Sequence, residues 1–120
     1  MNALFDTNIL IDHLRGVPQA RSELGRYDLT AISVITWIEV MVGAPADTEQ
    51  NTRGFLSGFA LVGLDGAISD LAARLRRTHR IKLPDAIVWA SARVRGMLLV
   101  TRDSRGFPAD DPGVRVPYVV

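Results

Sequence analysis

The stretch Asn2-Ala3-Leu4-Phe5-Asp6-Thr7-Asn8-Ile9-Leu10-Ile11 decides the fold. Residues 2–5 form a short apolar run that stops at three helix-opening residues, Asp6, Thr7 and Asn8. Ile9, Leu10, Ile11 and Leu14 then lie on a helical stripe that ends at Gly16, ahead of Pro18. Strand, polar turn and helix in so few residues open a βα unit. The alternation continues outward from it. Residues 18–26 can form a second short helix, and the β-branched run 29–33 reads as a strand whose Ser33 can cap the next helix. Residues 34–43 are apolar nearly all round and end at Gly43 with Pro45 beyond, which predicts a buried helix. Residues 47–59 are a weaker helical segment, interrupted by Gly54 and Gly58, and 60–64 read as a strand. Ile68, Leu71, Ala72 and Leu75 predict a helix over 67–79; Pro84 and Gly96 bracket another over 84–95. Residues 97–100 form a fourth apolar strand, stopped by Thr101-Arg102-Asp103. The loop 103–113 is rich in Asp, Gly and Pro, and the tail 114–120, with Pro117, is at most an edge strand. Short apolar strands alternating with helices predict an α/β fold: a mainly parallel sheet covered by helices on both faces. No repeat or linker divides residues 1–120, so one domain is expected.

Composition agrees. Hydrophobic residues make up 48% of the 120 and charged residues 22%, a globular balance. Uncharged runs reach about ten residues, whereas a membrane span needs roughly 18. The start has no basic leader and an acid at position 6, so neither a secretory signal nor a membrane association is expected, and the cytoplasm is the expected compartment. There are no cysteines and only two histidines, His13 and His79, which excludes thiolate zinc sites, cysteine nucleophiles and multi-histidine metal sites. A metal here would be held mainly by carboxylate oxygen.

The net charge is only +1, but residues 74–105 carry nine basic side chains (Arg74, Arg76, Arg77, Arg80, Lys82, Arg93, Arg95, Arg102, Arg105) against two acids. Such an excess can attract a polyanion, or it can be the solvated face of two helices. Lys82 is the sole lysine, and guanidinium forks suit phosphate.

Four acids stand in apolar surroundings. Asp6 follows the first strand, Glu39 is the only charge between Thr30 and Ala46, Asp85 is the only one between Leu83 and Ala92, and Asp103 follows the fourth strand. A lone buried carboxylate is costly, so Glu39, in the most hydrophobic helix, is the sharpest anomaly. Each acid has a plainer reading: Asp6 as a helix cap, Glu39 as partner of a buried arginine, Asp85 as complement to a helix dipole, Asp103 as a turn residue. Those readings do not explain why strand ends and an isolated acid share one edge. Sites in open parallel sheets lie beyond the carboxyl ends of the strands. Carboxylates gathered there repel one another, and a hard divalent cation such as magnesium or manganese relieves this.

With these residues the sequence resembles the PIN domain, and within it the VapC toxins of bacterial toxin–antitoxin pairs. Leu4-Phe5-Asp6-Thr7-Asn8 is similar to the family's first motif, and Ser33-Val34-Ile35-Thr36-Trp37-Ile38-Glu39 to its second. Lys82-Leu83-Pro84-Asp85-Ala86 is similar to the third, and Leu99-Val100-Thr101-Arg102-Asp103 to the fourth. The four occur in the family's order across nearly the whole chain. The resemblance implies a three-layer α/β/α fold and a metal-dependent endoribonuclease. Asp6, Glu39, Asp85 and Asp103 would hold Mg²⁺ or Mn²⁺, with Thr7, Asn8, Ser33 and Thr101 in support. It also implies a VapB-like antitoxin that blocks the acidic edge, and a homodimer. One departure stands out. The last motif often has Asn at the place of Asp103 and an acid just before the phenylalanine, where this chain has Gly106-Phe107. Asp103 would then supply the missing carboxylate; Asp110 and Asp111 lie further along the loop.

The implied chemistry is hydrolysis of RNA phosphodiesters by a metal-activated water. The basic stretch would bind RNA phosphates, which leaves open which arginines do so. Trp37 and Trp89 fall in apolar helices and are expected in the core. Two rival functions remain. One is a non-catalytic interaction module on the same fold. The other is a phospho-receiver domain, which Asp65 after the 60–64 strand would suit; however, a single acid at position 6 and an early Lys82 do not.

Overall fold

Alternate side chains along the strands enter two separate cores, one under each helical layer. The computed structural model describes residues 1–108 and 110–119. Its sheet has five parallel strands in the order β3-β2-β1-β4-β5: β1 Asn2–Phe5, β2 Leu29–Ser33, β3 Ala60–Val62, β4 Leu98–Val100 and β5 Val114–Arg115. Leu4, Ala31 and Leu99 point to one face, where they meet Ile68, Ala72 and Leu75 of α5 (Gly66–His79) and Ala86, Trp89 and Ala90 of α6 (Leu83–Val94). Ala3, Phe5, Ile32 and Val100 point to the other. There they pack on Ile9 and Leu10 of α1 (Thr7–Leu14), Ala20 of α2 (Pro18–Leu24), Val40 of α3 (Val34–Val42) and Leu56 of α4 (Glu49–Leu56). A 3-10 turn, Ala46–Thr48, leads into α4. The inner strands β1, β2 and β4 are covered on both sides, which accounts for their near-continuous apolar runs in place of alternation, whereas Leu61 on the edge strand β3 is 56% exposed. No helix among the described residues is long and apolar enough to cross a membrane.

The central strand β1 ends at Asp6, whose backbone N–H still donates to Val100 O at 2.9 Å. Its side chain turns back as the cap of α1, accepting from Thr7 N at 2.8 Å. Ser33 does the same for α3, its Oγ accepting from Ile35 N at 3.1 Å. β1, β2 and β4 thus deliver their polar C-terminal residues to one edge.

α3 departs from expectation. It is not buried all round: Ile38 is 47% exposed and Val42 82%. The helix packs against α1, α4 and α6 on its inner side, and nothing among the described residues covers its outer side. Glu39 lies on that outer flank and is exposed, so its apolar sequence neighbours do not bury it. Trp89 is in the core, 1% exposed. Trp37 is only partly buried, with the Arg53 guanidinium stacked 5.4 Å from its ring centre. α6 is also entered from α5 through a short loop, not from a strand.

Candidate active site

Asp6 is the anchor of the edge. It is 6% exposed and accepts from Thr101 Oγ1 at 2.8 Å, with Asn8 Nδ2 at 3.4 Å from the same oxygen. Burial pushes its carboxyl up to about 6 against the hydrogen bonds from Thr101 and Thr7, and the charges of Asp85 and Glu39 add to the rise. Asp85 lies in the first turn of α6 and is half-buried. Its carboxyl is also raised, first by burial, then by the charges of Asp103 and Glu39. Glu39 reaches the edge from α3, where Thr7 Oγ1 donates to its Oε1 at 2.6 Å. Its position is set by a hydroxyl from α1, not by enclosure in its own helix.

Thr101 and Asn8 tie the strand ends together. Thr101 is fully buried, and its Oγ1 accepts from Asp103 N at 3.0 Å while donating to Asp6. Asn8 Oδ1 accepts from Arg102 N at 3.0 Å, which pins the loop after β4 to α1. Ser33 is taken up by its own helix cap and makes no hydrogen bond to an acid among the described residues.

Asp103 divides its two oxygens. Oδ1 accepts from Arg105 N and Gly106 N, both at 3.0 Å, so it closes the turn. Oδ2 points to where a side chain on residue 106 would stand. A Cβ there would meet Asp103 Oδ2 at 2.5 Å and Asp85 Oδ2 at 3.2 Å. Gly106 is not in a left-handed conformation, so space and not backbone strain keeps a glycine here. The two carboxylates thus flank the spot that the missing side chain leaves open.

None of Asp6, Glu39, Asp85 and Asp103 forms a salt bridge among the described residues. Nor do three acid or histidine side chains among those residues come close enough to hold one ion as they stand. The donor set nevertheless fits a hard divalent cation: oxygen only, with two carboxyls raised by burial and mutual repulsion.

Two buried acids escaped the sequence reading. Asp12 and Glu23 are each 4% exposed. Arg102 holds Asp12 with two bonds, of 2.6 and 3.2 Å, and Tyr118 OH donates to it at 2.8 Å. Arg115 and Tyr27 hold Glu23 in the same manner. The arginine partners lie 90 and 92 residues away in sequence, so the local pattern does not show the counter-charges that hold the two acids.

A parallel α/β/α sandwich whose strand ends carry unpaired acids is the architecture of one nuclease-bearing class, and the comparisons agree. The PIN domain family matches residues 3–109, and the chain belongs to it. Within that family it stands with the VapC-type toxins. It is 34% identical to Ribonuclease VapC10 of Mycobacterium tuberculosis, over 98% of this chain and 93% of that protein. It superposes on a chain of a toxin–antitoxin complex from Klebsiella pneumoniae with a TM-score of 0.93 at 44% identity, covering 98% of this chain and 99% of the other. A chain of the DNA-bound VapBC complex from Salmonella typhimurium shares the fold, with a TM-score of 0.76, 24% identity and 96% of each chain covered.

Proposed function

We infer that the chain is a ribonuclease, the toxin of a VapBC-type pair, and that a Mg²⁺ or Mn²⁺ ion serves its acidic edge. One observation carries the metal reading: Asp6, Asp85, Asp103 and Glu39 converge on one edge with no cation paired to them. Structural acids are paired; here the charges of Asp85 and Glu39 add to the rise at Asp6, and those of Asp103 and Glu39 to the rise at Asp85.

Asp6, Asp85 and Asp103 would hold the cation, with Glu39 approaching from α3. When bound, the ion supplies charge that acidifies a water and polarises the phosphate. The remaining work belongs to the chain. Thr7 N and Thr101 Oγ1 each hold one oxygen of the Asp6 carboxylate and so fix its orientation at the edge. Thr7 Oγ1 aims Glu39. The turn bonds of Asp103 hold its Oδ2 beside Asp85. Ionised Asp6 and Asp85 are the working forms, since protonated carboxyls neither ligate nor accept the water's proton. Their raised proton affinity therefore predicts falling activity on the acid side of neutrality.

The partners implied are an RNA substrate and a VapB-like antitoxin, with a homodimer and a cytoplasmic location as further parts of the proposal. The test is cleavage of total bacterial RNA by antitoxin-free protein with magnesium or manganese, against a chelator and Asp6→Asn. Discrete fragments that vanish in both controls are expected. A folded protein that binds the ion yet cuts nothing would instead favour a non-catalytic module. The spacing of the acids, with no three close enough to share one ion among the described residues, is the observation that favours that second reading.

A further inference from the structure

Nine basic residues lie between Arg74 and Arg105, and the structure sorts them. Arg74 pairs with Asp70, Arg95 with Asp65 and Arg102 with Asp12. Arg76 donates to Ile81 O, and Arg93 lies against the Trp89 ring. Arg77 has no ion-pair partner among the described residues but is not among those lining the cleft below; Arg80, Lys82 and Arg105 have none either and lie together. All three line one cleft of about 400 Å³ between the α5–α6 loop and the loop after β4, together with His79, Asp85 and Asp103. Gly106 also lines it, and the absence of a side chain there opens the cleft to both carboxylates.

Arg80 adds a second observation. It ends α5 at φ 55°, the only non-glycine residue with positive φ among the described residues. That conformation favours glycine, which ends many helices this way. Here a long cation stands in the strained position and faces the cleft. Strain held at one residue often marks a functional site.

We propose that Arg80, Lys82 and Arg105 form a phosphate-binding track that holds the RNA strand next to the scissile phosphate. The inference rests on the ribonuclease reading and supplies what that reading lacks, the contacts that draw a polyanion to an acidic edge. Three cations without partners beside repelling carboxylates give a cleft of mixed sign. Its basic side neutralises the backbone phosphates that flank the cut, and its acidic side stays free for the divalent ion. Arg74 and Arg95 have their charge already engaged, and Arg77, though unpaired among the described residues, does not line the cleft; these three take no part.

The test measures binding of a fluorescent single-stranded RNA by anisotropy, in chelator so that no cleavage intervenes, across a range of salt. A triple variant, Arg80→Gly, Lys82→Ala and Arg105→Ala, is compared with a charge-matched triple, Arg74→Ala, Arg77→Ala and Arg95→Ala. The first should bind roughly tenfold or more weakly, with a salt slope lower by about 2, since each lost contact to a single strand removes roughly 0.7. The second should bind within about threefold of the native chain, because its charges lie off the track. Arg80→Gly alone should bind RNA more weakly while melting no lower than the native chain, which a purely structural role for Arg80 does not predict. With metal present, the first triple should raise KM for RNA cleavage while manganese binds no more weakly, since the lost charges opposed the cation. Equal losses in the two triples would overturn the track in favour of diffuse attraction. So would unchanged binding in the first triple, or no RNA binding by the native chain. A native chain that binds RNA through the track but never cleaves it would sink the ribonuclease reading and leave the track standing.

Discussion

The edge beyond the strands and the α1–α2 flank treat carboxylates in opposite ways. On the flank, Asp12 and Glu23 are as buried as any charged groups in the chain, and each is clasped by an arginine fork and a tyrosine hydroxyl. Burial pushes Glu23 up, but the hydrogen bonds from Arg115 and Tyr27 and the nearby positive charge hold it below its ordinary value. At the edge, Asp6 has no cation, and burial wins, taking it up to about 6. The flank's acids fasten β5 and the C-terminal tail to the body of the fold. At the edge, burial and neighbouring charges disfavour the ionised forms of Asp6 and Asp85, and the fold supplies neither with a salt-bridge counter-charge among the described residues. Burial thus does not separate functional acids from structural ones; the presence of a counter-charge does.

The largest effect should come from Asp6→Asn. RNA cleavage should fall roughly 10³-fold, as expected for losing a main electrostatic element of a reacting centre. The same variant should be more stable without metal at neutral pH. A carboxyl whose folded pKa is raised from 3.8 to about 6 favours folding at low pH and loses that contribution as pH rises between those values. The loss is on the order of 3 kcal/mol at most, and asparagine, which keeps the cap, escapes it. Thermal melts of the chelated protein should therefore show the Asp6→Asn gain shrinking from pH 7 to pH 4. A variant that is dead and also less stable at pH 7 would place Asp6 with the flank acids.

Arg115→Ala breaks the comparison from the other side. It takes the main counter-charge from buried Glu23, leaving Tyr27 OH and Arg26 at 3.6 Å, and the cost should be about 2–3 kcal/mol, below that of a fully buried pair because Arg115 is 35% exposed. Urea melts measure it, and cleavage per folded molecule should not change. The pH sense is opposite to that of Asp6. Glu23, with its pKa held low, contributes stability above its ordinary value of 4.5, and this is lost as pH falls through its folded pKa.

Much of this was legible in sequence, and the rest fails for identifiable reasons. Apolar runs bounded by Gly, Pro and capping residues located the first four strands and the helices, since those signals are local. Asp6 and Asp103 were visible because strand ends in a parallel sheet share an edge. The α3 burial was misread: hydropathy cannot show that Ile38 and Val42 lack a covering element. Glu39 therefore drew attention through a burial it does not have, while Thr7, which holds it, belongs to another helix. Asp12 sits on the same short helix as the apolar stripe, and only the fold brings Arg102 and Tyr118 to it.

Thr101→Val tests whether the edge depends on its hydroxyl scaffold. It removes the donor to Asp6 and the acceptor for Asp103 N in one step, at constant volume. Manganese affinity should fall about 10- to 100-fold, the range for groups that orient metal-binding side chains. Calorimetric titration with manganese measures it without any RNA. Unchanged affinity would show that the strand backbone alone sets the carboxylates.

The smallest net change should come from moving a carboxylate by three residues. Asp103→Asn alone should weaken manganese binding, and Gly106→Ala should do so too, because its methyl would press on Asp103 Oδ2 at 2.5 Å. Combining Asp103→Asn with Gly106→Asp changes the balance. Asparagine keeps the oxygen that closes the turn with the N–H groups of residues 105 and 106. Its amide nitrogen then stands where Asp103 Oδ2 did, 2.5 Å from the new Cβ, so the side chain at 103 must shift before the amide donates toward the new carboxylate, which grows beside Asp85. The backbone at 106 is not in a left-handed conformation, so a side chain there meets no conformational penalty. The double variant should regain manganese affinity and cleavage to within about tenfold of the native chain, a difference near 1.4 kcal/mol. Recovery would show that the edge requires a charge at a place, whichever residue delivers it. Continued loss would show that the turn made by Asp103 is itself the requirement, and Asp103 would then belong with Asp12 and Glu23 among the acids that hold the fold.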